Sequence, residues 1–269
     1  MVSAFLLVPM KPGATMAGFY KHRFLRILPP FVFFAVLYCL LPLAWGGMTW
    51  EQSVADLKNL PLNFPSMAGH LWFMYPLISL YFIMPVISPW LEKASAKDEL
   101  IFLGIFAFST FMPWLHKFVA PELWGECFWN CYHMLWYCSG FIGFLVMAHF
   151  VRFHIRWTVK KRLTVGTVCF LAGAGFTAWS FWWKGVPGVL IDTPILEWAW
   201  EFCTPNVLCA TFGLFLIFTC IGANKSCKLI TGISKLSFGI YLMHMFFLAP
   251  IAAFFVNGNQ ANPIVPVYL

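Results

Sequence analysis

Runs of some twenty apolar residues recur along the chain, near 27–47, 70–91, 99–116, 128–149, 163–183, 199–222 and 236–256, with the charged residues gathered between them. A hydrocarbon core about 30 Å thick takes roughly 20 apolar residues per helix. Only helices or closed barrels satisfy their backbone groups in lipid. Barrel strands would alternate in polarity over about 10 residues, whereas these runs are long and continuous. The pattern predicts an all-α, polytopic transmembrane helix bundle with about seven complete spans. Residues 1–10 are apolar but too short to span, and lack the cationic start and small-residue cleavage site of a signal peptide. They read as the tail of an earlier helix arriving at the cytoplasm, or as a short re-entrant segment. Residues 262–269 read as the start of a further helix. The expectation is one integral membrane domain over 1–269, with partial helices at both ends.

Composition supports this. The chain has 269 residues, of which 61% are hydrophobic and 10% charged, against about 25% charged in soluble domains. The longest loops have about 20 residues, which leaves no room for a soluble domain. Fourteen of the seventeen lysines and arginines fall on the loops around 11–26, 93–97, 152–162 and 225–235, while most acidic residues fall on the others. The positive-inside rule makes the basic side cytoplasmic, and with an odd number of spans it puts the C-terminus outside. The net charge of +7 is then a topology signal and not a nucleic-acid footprint. The nine cysteines show no ligand spacing, and no phosphate-binding or dinucleotide loop is present. No metal is expected.

Five groups of residues could carry chemistry. Arg23 and Arg26 precede the first long run and, three apart, share one side of a helical turn. Arginine forks match phosphate oxygens, and Pro29 and Pro30 suit a first helical turn, which would add N–H donors beside the arginines. The same pair could simply anchor the helix among lipid headgroups. His70, Trp72 and Tyr75 stand at the outer end of the second run, where an aromatic belt and a substrate entrance are both open readings. Ser237, Tyr241 and His244 fall on one face of the last helix. His244, about 12 Å into that helix at 1.5 Å per residue, should face the bundle interior or a wet cavity. Ser139 and Gly143 suit helix packing, with Glu126 and His133 two turns apart near an outer vestibule. Arg152, Arg156 and Lys160 form a cationic stripe fit for anionic lipid or a phosphate.

Four of these landmarks, in order, resemble acyltransferase family 3. Ser3-Ala4-Phe5-Leu6 is similar to the end of the family's second helix, with Ala4 in place of the usual glycine. Arg23-Phe24-Leu25-Arg26 is similar to its Arg-x-x-Arg loop. His70-Leu71-Trp72-Phe73 followed by Tyr81 resembles its mid-chain stretch, and Ser237-Phe238-Gly239-Ile240-Tyr241-Leu242 with His244 its late signature. The resemblance implies about ten helices in the inner (cytoplasmic) membrane. It implies transfer of an acyl group, most commonly acetyl, from acyl-CoA to a hydroxyl of a cell-envelope sugar or polysaccharide. It puts Arg23 and Arg26 by the CoA phosphates at a cytoplasmic mouth. It puts His70, Trp72, Tyr75, Tyr241 and His244 in or near a substrate tunnel. The family's base histidine belongs to a first helix with no counterpart here, so the catalytic residue is unknown and His244 is only a candidate to assist. A small-anion or glycan transporter and an inactive remnant of the family are the alternatives. The acceptor, the acyl group and the oligomeric state are not legible in the sequence.

Overall fold

The computed structural model describes residues 1–186, 191–221 and 227–258. Residues 262–269 and Lys225 therefore lie outside the described residues. The α-helices among them are α1 Val2–Leu7, α2 Met16–Leu40, α3 Trp50–Asn59, α4 Met74–Lys93, α5 Ala96–Ser109, α6 Met112–Phe118, α7 Phe141–Phe153, α8 Val159–Lys184, α9 Thr193–Leu196, α10 Pro205–Phe218 and α11 Lys228–Gly258. Short 3-10 turns precede α3 at Leu41–Trp45, α4 at Gly69–Phe73 and α7 at Trp136–Cys138. No strand occurs among the described residues, only an isolated bridge between Cys127 and Asn130. The protein is an all-α membrane bundle, as the apolar runs predict.

Helix starts follow side-chain chemistry. Thr15 Oγ1 accepts from Gly18 N at the start of α2 and Thr158 Oγ1 from Lys161 N at the start of α8. Complete capping boxes, Thr49 with Gln52 and Ser95 with Asp98, open α3 and α5. Each satisfies N–H groups that an uncapped helix start leaves unpaired.

Five segments are long and apolar enough to cross a membrane: Met16–Ala44, Gly69–Lys93, Ala96–Phe118, Val159–Lys184 and Lys228–Leu248. In the α8 segment only 17% of the apolar window is buried within the protein, and Val168 and Leu171 stand exposed along it. So much exposed aliphatic surface on one helix suits lipid and not water. The runs expected near 128–149 and 199–222 appear as shorter apolar helices, Phe141–Phe153 and Pro205–Phe218. In the first of these, residues 124–140 form a tight loop instead of helix. Trp124 and Gly125 take positive φ angles of 43° and 99°, Cys127 and Asn130 exchange two backbone hydrogen bonds of 2.9 Å, and Asn130 Nδ2 donates to Gly125 O and Tyr132 O. Gly140, at φ 73°, then starts α7.

The chain forms two compact units. The first comprises Met1–Ala14 and Phe82–Asn224. Within it α5 packs on α7 through Phe106, Phe144 and Met147, and α1 sets Phe5 edge-on to Phe215, ring centroids 5.5 Å apart. The closest pairing joins α8 and α10. A Cβ on Gly173 would lie 2.3 Å from Asn206 O and one on Gly213 2.4 Å from Gly166 O, so these backbones touch directly. Small residues permit such an approach in lipid, where van der Waals packing drives association. Asn206 Nδ2 ties the pair by donating to Thr177 Oγ1 at 2.8 Å, and it also donates to Ala199 O, ahead of α10, at 2.6 Å.

The second unit comprises Thr15–Tyr81 and Lys225–Leu269. Tyr38 Oη donates to Leu242 O at 3.0 Å, and the Tyr38 ring stacks on Phe246 at 4.1 Å, which joins α2 to α11. Ser53 Oγ donates to Cys39 O and joins α3 to α2.

Candidate active site

The two arginines of α2 do not stand where Pro29 and Pro30 suggest. The helix starts at Met16, and both prolines lie in its interior. Capping by Thr15 begins the helix before Arg23 is reached, so no free helix N-terminus accompanies the guanidinium groups. The two prolines remove donors within the span, which transmembrane helices tolerate. Arg23 sits 5.8 Å over the Phe19 ring, and Arg26 is exposed. Neither forms a salt bridge with any described carboxylate. A half-buried and an exposed cation, one helical turn apart, remain on this helix.

In the same unit, residues far apart in sequence converge. The 3-10 turn Gly69–Phe73 carries His70, and α11 carries Tyr241 and His244. The His70 ring lies 4.8 Å from His244 and 5.7 Å from Tyr241, centroid to centroid. Tyr241 Oη donates to His70 O and fixes the turn against α11. Tyr38 adds a third ring at 5.2 Å from His70. Both ring nitrogens of His70 are buried without a hydrogen-bond partner. A neutral imidazole offers one donor and one acceptor, and leaving such groups unpaired in the interior costs ~1–3 kcal/mol each. His244 Nδ1 lies 2.8 Å from Tyr241 O. A carbonyl only accepts, so this nitrogen carries the proton, and the neutral ring keeps its lone pair on Nε2. With α11 starting at Lys228, His244 lies about 24 Å along it, twice the depth expected.

The structure brings His70, Tyr241 and His244 together. Trp72 lies edge-on to Phe73 at 5.8 Å. Tyr75 packs between Phe31 and Phe64, with its hydroxyl buried and unpaired. Ser237 is exposed and donates to Ser234 O. Tyr38 is a member of the cluster that the sequence reading missed. Its place in a long apolar run gave no sign of a partner in α11.

The first unit holds two further groups. The stripe of Arg152, Arg156 and Lys160 does not form, because α7 ends at Phe153 and α8 starts at Val159. Instead Arg152 and Arg162 line a cleft of about 470 Å³ with Phe5, Phe215 and Phe218. Arg152 lies 5.4 Å over the Phe5 ring and donates to Phe5 O. Arg162 donates to Ile155 O at 3.1 Å, while its Nε is buried and unpaired. Elsewhere Glu126 Oε2 is 2.6 Å from His116 Nε2 and 3.1 Å from Leu123 N, and the His116 and His133 rings are 6.2 Å apart. Burial opposes the charge on Glu126, but these bonds prevail and hold its carboxyl below the usual range. Burial pushes His133 down, against the pull of Glu126, and its Nδ1 accepts from Leu135 N at 3.2 Å.

A family model described as an acyltransferase domain matches residues 1–269. The chain belongs to acyltransferase family 3. No curated protein and no solved structure matches it. As a family member the chain is a multi-pass membrane acyltransferase, one that transfers groups other than aminoacyl groups. In this acyltransferase the Arg-x-x-Arg pair lies within α2, and His70 of the mid-chain landmark meets Tyr241 and His244 of the late one in a half-buried cluster. Ser3-Ala4-Phe5 lies in α1 of the first unit, with Ala4 buried.

Proposed function

We propose that this acyltransferase moves an acyl group, acetyl in the first place, from acyl-CoA to a hydroxyl of a cell-envelope sugar or polysaccharide. The observation that carries the reading is the convergence of His70, Tyr241 and His244 in a half-buried cluster. His70 there keeps an unpaired donor and an unpaired acceptor for a substrate hydroxyl. In the transfer a sugar oxygen bonds to the acyl carbon, the carbon–sulfur bond breaks, and CoA leaves as the thiol. The hydroxyl's proton must be removed as its oxygen attacks. His244, with its lone pair on Nε2, assists by taking up that proton, and Tyr241 positions His70 through its backbone. Trp72 and Tyr75 are assigned to the tunnel wall. Arg23 and Arg26 hold CoA by its phosphates and supply position and not bond chemistry. The excess of lysine and arginine on the loops around residues 11–26, 93–97 and 152–162 supports a cytoplasmic position for these arginines by the positive-inside rule.

The test is acetyl transfer from labelled acetyl-CoA in membranes containing the chain. Hydrogen bonds to charged groups contribute about 1.5–3 kcal/mol, so Arg23→Ala and Arg26→Ala should each raise KM for acetyl-CoA roughly tenfold or more, with kcat little changed. Unaltered KM in both would remove the phosphate-holding role. A variant Lys21→Ala on the same helix should leave KM where it is.

A further inference from the structure

Glu99, His149 and His154 meet within the first unit, and the proposed transfer uses none of them. Glu99 lies in the first turn of α5 and is 0% exposed. His149 is in the penultimate turn of α7, and His154 is that helix's C-cap. Their side chains are 4% and 21% exposed. Glu99 Oε1 is 2.8 Å from His149 Nδ1 and 2.9 Å from His154 Nε2. One donor atom from each residue lies within 4.8 Å of the others. Glu99 Oε2 is buried with no partner at all.

An ion pair does not account well for this arrangement. Both imidazoles crowd a single carboxylate oxygen, and the other is left buried and unpaired, which carries a lasting penalty. A divalent cation among the three groups would use both carboxylate oxygens and a lone pair from each ring. It would also give the buried, unpartnered Glu99 Oε2 a partner. Two imidazoles with one carboxylate is a ligand set of zinc sites, with a fourth position left for water. Calcium and magnesium call for oxygen ligands throughout, and the thiolates that favour copper(I) are absent from the cluster. Zinc needs ligands at about 2.0–2.2 Å, so the carboxylate oxygen would part slightly from each ring while the two ring nitrogens, within 4.8 Å of one another, close around the ion. We propose that Glu99, His149 and His154 bind a zinc ion that ties the start of α5 to the end of α7. Linear spacing hides such a site: the two histidines are 50 and 55 residues beyond the glutamate, and no pair-and-pair pattern marks them.

The test uses the full chain purified in detergent without a polyhistidine tag. It is loaded with zinc, freed of excess by gel filtration, and assayed for metal by mass spectrometry. The wild type should retain about one zinc per chain, and zinc should raise its melting temperature. Glu99→Gln and His154→Ala should each lower zinc affinity tenfold or more and abolish the thermal shift. Cobalt(II) in place of zinc should give visible ligand-field absorption without thiolate charge transfer, which separates this site from the nine cysteines. His154 is partly exposed, so its variant is the one least prone to misfold. If neither variant folds, the wild-type titration and cobalt spectrum decide alone. Zinc retained equally by wild type and His154→Ala, a thiolate spectrum, or no retained zinc in the wild type would overturn the proposal. Iron held at these residues in preference to zinc would overturn the choice of ion.

Discussion

His70 and Glu126 show how differently buried polar groups can be handled. His70 keeps both ring nitrogens unpaired, whereas Glu126 is held by His116 and by the Leu123 N–H. The second arrangement has a pH consequence. His133 is lowered by burial, so the folded state favours its neutral form. Its contribution is whole above the unfolded value of about 6.5 and is lost as pH falls toward the folded one. Glu126 is held below its ordinary range, so its contribution is present above about 4.3 and is lost as pH falls through its lower folded value. Melting temperature should therefore fall in two stages on acidification, the first below about pH 6.5 and the second below about pH 4.3. His133→Gln should remove the first stage and Glu126→Gln the second. A wild type and a Glu126→Gln variant with the same profile below pH 4.3 would refute the assignment.

The helices show which features of a chain reveal its fold. Seven apolar runs were legible because lipid demands length and apolarity, and a helix lies within each. Their ends were less legible. The stretch from 128 to 140 is rich in aromatics but also carries Asn130, His133 and Ser139, and its tight loop and the glycine at 140 take it out of helix. Likewise Pro29 and Pro30 look like a helix start, but Thr15 caps α2 well before them. The α8–α10 pairing makes a firm prediction. At Gly213 an added Cβ would meet the backbone at Gly166 O, 2.4 Å away, and Phe170 N, neither of which can swing aside. Gly213→Ala should cost about 1–3 kcal/mol, as overpacking does. Thermal unfolding in detergent would show it as a clear drop in melting temperature, whereas Gly175→Ala, on α8 with open space around it, should show none. Equal stability of the two variants would contradict the close packing.

For the whole molecule, family membership makes the chain a membrane acyltransferase, and the cluster on α11 is where its chemistry is proposed to lie. Part of that cluster was legible: Tyr241 and His244 share a helical face, and His70 stands out as polar in an apolar stretch. Tyr38 was not, because a contact spanning 204 residues leaves no local trace. The same holds for Arg162, whose partner in the cleft, Arg152, seemed to belong to a stripe that the helix break dissolves, and for Glu99 with its two histidines. Side chains read along the sequence reveal their own helix face, but not the face opposite. The most direct measurement is transfer of label from acetyl-CoA to base-labile ester in the envelope glycan fraction, by wild type and by His244→Ala at equal amounts of folded protein. The account predicts ester label with the wild type and a loss on the order of a hundredfold with the variant, the scale of a missing proton acceptor. Equal transfer by both would show that the α11 cluster is not the site, and no ester with the wild type would contradict acyl-CoA as donor to a sugar hydroxyl.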